Sequence, residues 1–189
     1  MSDIDVLESV LAKESALVSN VTPDQLGGPT PCPEYDVRTL LNHIVGWLRT
    51  FAAGAAGREA GEDPTAYTTE DHAGEFKAAA DDIVAGWRAG GTDRTVSFAG
   101  NEMPGAVVLG MTLMEYVTHG CDLAIATGQA VPFSDSELET TLAHAQRNLQ
   151  DSFRGEGKFF GDRVPVPDDA PVLDRYLGFM GRRPQGMSA

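Results

Sequence analysis

The stretch MTLMEYVTHGCDLAIATG, residues 111–128, decides how the rest of the chain is read. At about 100° per residue, the apolar side chains from Val107 to Ile125 cover most of the circumference of a helix. A helix apolar nearly all round is a buried one, so this segment is expected at the centre of a helical domain. Its exceptions are Glu115, His119 and Asp122, which fall within an arc of about 60° on the same wheel. Glu115 and His119 stand one turn apart on one face. No Lys or Arg occurs between Arg94 and Arg147, so neither carboxylate has a cation nearby in sequence. An unpaired buried carboxylate costs several kcal/mol even after relaxation, roughly, and a compensating group from elsewhere in the chain, or a metal, is therefore expected.

Outward from this helix the pattern stays helical. Ile4, Val6, Leu7, Val10, Leu11 and Leu17 predict a first amphipathic helix over residues 4–19, ended before TPDQLGGPTPCP. Asp36 is a plausible N-cap for a second, in which Val37, Leu40, Leu41, Ile44, Leu48 and Phe51 recur at i, i+3, i+4 spacing. A polar loop leads to a third helix over about residues 71–89, and RTVSF followed by AGNEMPG predicts a short strand or hairpin. The quoted helix runs from about 105 to 127 and ends at Gly128. FSDSE caps a fifth, expected to reach Phe153 with Leu138, Leu142, Ala145, Leu149 and Phe153 on its inner side. PVLDRYLGFMG makes a short final helix after the proline-spaced VPVPDDAP. The reading is a single, mainly α domain over residues 1–189, a bundle with a small strand element.

Bulk properties narrow the function. The 189 residues carry 14 basic and 28 acidic side chains, a net charge of −14, which would repel a nucleic-acid backbone or an anionic membrane surface. No secretory signal pattern opens the chain, and no run approaches the roughly 20 apolar residues that span a bilayer. The two cysteines, Cys32 and Cys121, suggest no disulfide framework. A soluble cytoplasmic protein acting on small molecules is expected, with a homodimer left open.

The polar stripe then gains a partner. His43 lies at the border of the apolar stripe of the second helix, beside Leu40 and Trp47, where it can reach a neighbouring helix. His43 with Glu115 and His119 would form three N/O ligands suited to Zn²⁺, or to Ni²⁺ or Fe²⁺, with positions open for water and substrate. Asp122, one turn beyond His119, would orient a ligand imidazole or a bound water. Simpler readings stand beside this one: Glu115 and His119 as a hydrogen-bonded pair, and His43 as a satisfied interfacial histidine. His72 and His144 read as solvated residues, Cys121 as a small core residue, and Cys32 as a packed loop residue rather than a nucleophile.

Three blocks carry a resemblance. TPCPEYDVRTLLNHIVGW resembles a T-x-C-x-x-W-x-V-x-x-L-x-x-H-x-x-G pattern, EYVTHGCDLAIATG an E-x-x-x-H-G-x-D-L-A-x-A-T-G pattern, and APVLDRYLGFMGRRP an A-P-x-x-D-R-x-L-x-F-x-G-R-x-P pattern. Together they are similar to actinobacterial metal-binding proteins related to the N-terminal domain of mycothiol-dependent maleylpyruvate isomerase, in the DinB/YfiT-like superfamily. The departure is Tyr35, where the pattern more often has Trp. The resemblance implies a four-helix bundle holding a divalent metal, usually zinc, and places the ligands on His43, Glu115 and His119. It further implies a thiol-dependent S-transferase or isomerase with mycothiol as co-substrate and a small electrophile as substrate. The isomerase carries a separate C-terminal domain, so the particular substrate stays open. The alternative is a non-catalytic bundle in which the site is structural or regulatory. No thiol-binding motif is legible, and Arg38 and Arg49 are candidates by location alone.

Overall fold

A computed structural model describes residues 1–158 and 160–184. Ser2 opens α1 (Asp3–Ser19) with a capping box in which its side chain and that of Asp5 satisfy each other's backbone N–H groups. Asp36 caps α2 (Val37–Ala55) by accepting the Thr39 N–H at 2.8 Å, as its position in the sequence predicts. α3 (His72–Gly90) stops at Gly91, whose φ of 66° is left-handed.

The predicted short strand element is a hairpin. β1 (Thr95–Phe98) pairs antiparallel with β2 (Asn101–Pro104) through a two-residue turn at Ala99 and Gly100, both at positive φ. Such a turn matches the right-handed twist of the strands, and Gly100 makes it accessible. Phe98 leaves the hairpin to stack on Phe51 of α2, ring centroids 4.5 Å apart. The chain passes directly into α4 (Gly105–Thr127), which ends at the left-handed Gly128.

α1 packs against α3 and α4, and α2 packs against the same two, so the four helices close a ring around one apolar core. α4 is buried along most of its length, as its near-continuous hydrophobicity requires. Among the described residues no helix is long and apolar enough to cross a membrane.

Two expectations about the fifth helix are corrected. α5 (Asp135–Asn148) stops at Leu149, whose ψ of 100° is extended, and a 3₁₀ turn over Asp151–Phe153 follows. Phe153 is thereby 43% exposed rather than on the inner face. Asn148, Asp151 and Ser152 favour turns over helix interiors, and the break lets the Arg154 guanidinium lie over the Phe179 ring, 4.7 Å from its centroid. His144 is buried, not solvated: Gly110 of α4 leaves room for its ring, and Nε2 sits 2.9 Å from the Asp3 carboxylate. His72 is likewise half-buried, with Nε2 2.9 Å from the side-chain oxygen of Asn42. α6 (Val172–Phe179) lies on α5, and its Tyr176 hydroxyl reaches both the Thr118 hydroxyl (2.8 Å) and the Met114 carbonyl (3.2 Å) of α4.

Candidate metal centre

α4 and α2 pack against each other, and their polar residues meet. His43 Nε2 lies 2.8 Å from Glu115 Oε1, and His119 Nε2 lies 3.5 Å from the same oxygen. The two imidazole rings stand edge to face at 4.9 Å. One ligand atom from each of the three residues falls within 4.8 Å of the other two. The side chains of His43 and Glu115 keep 20% and 22% of their exposure and that of His119 keeps 11%, so the cluster is recessed yet open on one side.

Each histidine is held by its other nitrogen. His43 Nδ1 is 3.2 Å from the Tyr35 hydroxyl, and the two rings are 5.2 Å apart. His119 Nδ1 is 3.1 Å from Asp122 Oδ2. Asp122 is fully buried, and its cation comes from the far end of the chain: Arg182 donates from Nε to Oδ1 at 3.2 Å and from Nη2 to Oδ2 at 2.9 Å. The missing countercharge for Asp122 is therefore a guanidinium.

Cys32 belongs to the same group. Its thiol donates to Asp122 Oδ2 at 3.4 Å and accepts from Arg182 Nη2 at 3.1 Å. A short loop presents it there. Thr30 Oγ1 receives the Cys32 N–H at 3.1 Å and lies within 2.9 Å of the Cys32 and Tyr35 carbonyl oxygens, while Pro29 bridges to Asp36. Cys32 is a packed loop residue, as the sequence suggests, but its contact with Asp122 and Arg182 is not foreseen there. Cys32, His119 and Asp122 also form a compact set of three ligand types, but the Arg182 charge opposes a second cation there.

The electrostatics follow from the geometry. Burial disfavours a charged His119, yet Glu115 and Asp122 on either side outweigh it and push its pKa up to about 10. Burial likewise opposes ionisation of Asp122, but hydrogen bonds from His119 and Arg182 hold it down to about 2. Glu115, against the same penalty, is kept below the ordinary carboxylate range by His119 and His43. Burial raises Tyr35, so its hydroxyl keeps its proton at neutral pH. A protonated His119 thus sits between two carboxylates.

One more buried acid lies close by. Glu14 of α1 is fully buried against α4, where a Cβ on Gly120 would approach its carboxyl carbon to 3.5 Å. Neither of its oxygens has a hydrogen-bond partner among the described residues, and burial pushes its pKa well up. Arg38 and Arg49 lie on the surface instead, Arg38 3.1 Å from Glu70 and Arg49 2.8 Å from Glu75. They do not join the cluster.

The donor set fits a divalent metal. Ligand atoms around a tetrahedral ion with bonds of about 2.0–2.1 Å stand roughly 3.3 Å apart, close to the His119–Glu115 separation. Two imidazoles oriented through their second nitrogens, with one carboxylate between them, is the arrangement such ions use.

Comparison with known proteins agrees with the family resemblance carried by the first block and most of the second. Residues 7–124 match the sequence model of the mycothiol maleylpyruvate isomerase N-terminal domain. An uncharacterized protein of Mycobacterium tuberculosis, found in strains CDC 1551 / Oshkosh and ATCC 25618 / H37Rv, is 36% identical over 169 residues, covering 89% of this chain and 91% of the relative. No solved structure matches. With its helical bundle, its family match and its mycobacterial relative, the chain belongs to the family of the mycothiol maleylpyruvate isomerase N-terminal domain.

Proposed function

We propose that the protein binds one divalent metal ion, zinc first, with nickel or iron as alternatives, through His43, Glu115 and His119. On this reading it activates a low-molecular-weight thiol such as mycothiol for S-transfer to, or isomerisation of, a small electrophile. The observation that carries the proposal is the meeting of two imidazole nitrogens and one carboxylate oxygen within 4.8 Å at a recess open to solvent. Three protein ligands leave room for an exogenous one, the mark of a reactive site, whereas structural zinc is closed by four. When bound, the metal would lower the pKa of a thiol ligand so that thiolate is present at neutral pH.

The chain's own residues have separate tasks. Glu115 supplies the anionic ligand on α4, and its ionisation is already favoured by the histidines beside it. Asp122 accepts the His119 Nδ1–H and leaves Nε2 facing the cluster. Tyr35 does the corresponding work for His43. Trp47, its ring 6.4 Å from that of His43, would give the recess an apolar wall beside that ligand. Titrating the zinc-loaded protein with mycothiol and a chlorinated aromatic electrophile tests the reading. Thiol binding and conjugate formation above the metal-free rate are expected, and the absence of both would contradict it.

One observation favours a non-catalytic role instead. His119, Glu115, Asp122 and Arg182 already form a charge-balanced, hydrogen-bonded set that can brace α4 against the rest of the bundle. A structural role predicts that His119→Ala lowers the melting temperature sharply and leaves no activity to lose.

A further inference from the structure

We propose that Arg182 is a positioning residue for the metal centre, setting the orientation of His119 through Asp122 from the segment that follows α6. The inference rests on the metal-site reading above. The family-model match ends at residue 124 and does not contain the group that neutralises Asp122; Arg182 stands instead on the G-R positions of the block APVLDRYLGFMGRRP. Without Arg182 the fully buried Asp122 would face only a histidine and a thiol. With it, both carboxylate oxygens receive guanidinium N–H groups, and Oδ2 still accepts from His119.

A carboxylate clamped in this way can only accept, so the His119 nitrogen facing it must be the donor. Nδ1 carries the hydrogen, and Nε2 points at Glu115 and His43. The guanidinium therefore selects which nitrogen of His119 is offered to a metal, although it touches neither the metal position nor any reacting atom.

The local backbone explains how Arg182 arrives there. α6 is capped by Met180, Gly181 just beyond it has a left-handed φ of 76°, and the Arg182 N–H donates back to the Leu177 carbonyl at 2.8 Å. A side chain on Gly181 would also come within 2.8 Å of the Gly161 carbonyl. This reversal turns the chain toward α4, and the Tyr176 hydroxyl pins α6 to α4 at Thr118, the residue before His119. Arg182 then spans Asp122 and Cys32 with one nitrogen, tying the Cys32 loop, α4 and the C-terminal segment together. A lysine would offer a point charge without that fork.

The test uses the full chain and three variants, Arg182→Gln, Arg182→Lys and Arg175→Gln. Zinc affinity is measured by competition with a chromophoric chelator, and the His119 ring is followed by ¹⁵N NMR in the metal-free protein. Arg182→Gln is expected to still saturate with zinc but with affinity ~10–100-fold weaker, the usual cost of losing a group that orients a ligand. Arg182→Lys should recover part of that loss. Arg175→Gln, which removes a charge from α6 and a bond to the Ala170 carbonyl without touching Asp122 or Arg182, should leave the affinity unchanged. In the NMR experiment the Nδ1–H of His119 should exchange slowly in the native chain and faster in Arg182→Gln, where Asp122 is held by fewer donors. Equal zinc affinity in the native and Arg182→Gln proteins, or an unchanged Nδ1–H exchange rate, overturns the proposal. If Arg182→Gln fails to fold, Arg182→Lys decides through the same two readouts. A native chain that binds no zinc would overturn the metal reading instead, and the NMR result would still judge Arg182.

Discussion

Asp122 and Glu14 are both fully buried acids packed at α4, and they have opposite fates. Asp122 is surrounded by Arg182, His119 and Cys32, and its carboxyl stays ionised with a pKa of about 2. Glu14 has no hydrogen-bond partner among the described residues, and burial pushes its pKa well up despite the pull of His119. The same chemical group becomes a structural charge in one place and a desolvated acid in the other. Partners decide this, since burial is equal, and the difference teaches that charge in this core is assigned by long-range contacts.

Breaking the paired side should have the largest effect. Asp122→Ala strands the Arg182 guanidinium, which is 16% exposed, and removing one member of a buried ion pair costs about 3–5 kcal/mol. Urea denaturation of the metal-free protein would show it as a lower midpoint. The unpaired side should respond in the other direction. Glu14→Met replaces an unsatisfied buried carboxyl with an apolar side chain of similar length, and should raise stability by about 1–3 kcal/mol in the same assay.

The pH dependence sharpens the contrast. Asp122 has a folded pKa below its ordinary value of 3.8, so its contribution is present above that value and is lost as the pH falls from about 4 to about 2. Glu14 has a folded pKa above its ordinary value of 4.5, so the folded state loses stability as the pH rises past that value. The advantage of Glu14→Met should therefore grow above pH 4.5. His119, raised from 6.5 to about 10, stabilises the metal-free protein fully below pH 6.5 and loses that contribution as the pH approaches 10. Because a metal must displace the Nε2 proton, zinc affinity should climb across the same window, measurable by competition titration at several pH values.

The smallest effect is expected at the other histidine. Tyr35→Phe removes one hydrogen bond to His43 Nδ1 at a half-buried position and should cost about 0.5–1.5 kcal/mol. Thermal melting of the variant checks it, together with a modest weakening of zinc binding.

These contrasts also mark what could be read from the sequence. The polar stripe of α4 was legible because helical periodicity is local: Glu115, His119 and Asp122 lie within eight residues. His43 was legible from its place beside the apolar stripe of α2. Arg182 was not, because its pairing with Asp122 spans 60 residues and depends on the turn at Gly181. Glu14 did leave a signal: it falls in register with Leu7, Val10, Leu11, Leu17 and Val18, on the buried face of α1. Cys32 and Tyr35 lie in a proline-punctuated loop where no periodicity reports direction. The C-terminal end of α5 misled for the opposite reason, since Leu149 and Phe153 continue the i, i+4 spacing after the helix has stopped. His144 escaped because the space it fills is created by Gly110 on another helix.

The central claim is that His43, Glu115 and His119 hold a metal, and elemental mass spectrometry of the native chain and the His43→Ala variant, each saturated with zinc and desalted, tests it most directly. The account predicts one zinc ion per native chain and a large loss of zinc in His43→Ala. Native protein with no more metal than the variant would contradict it.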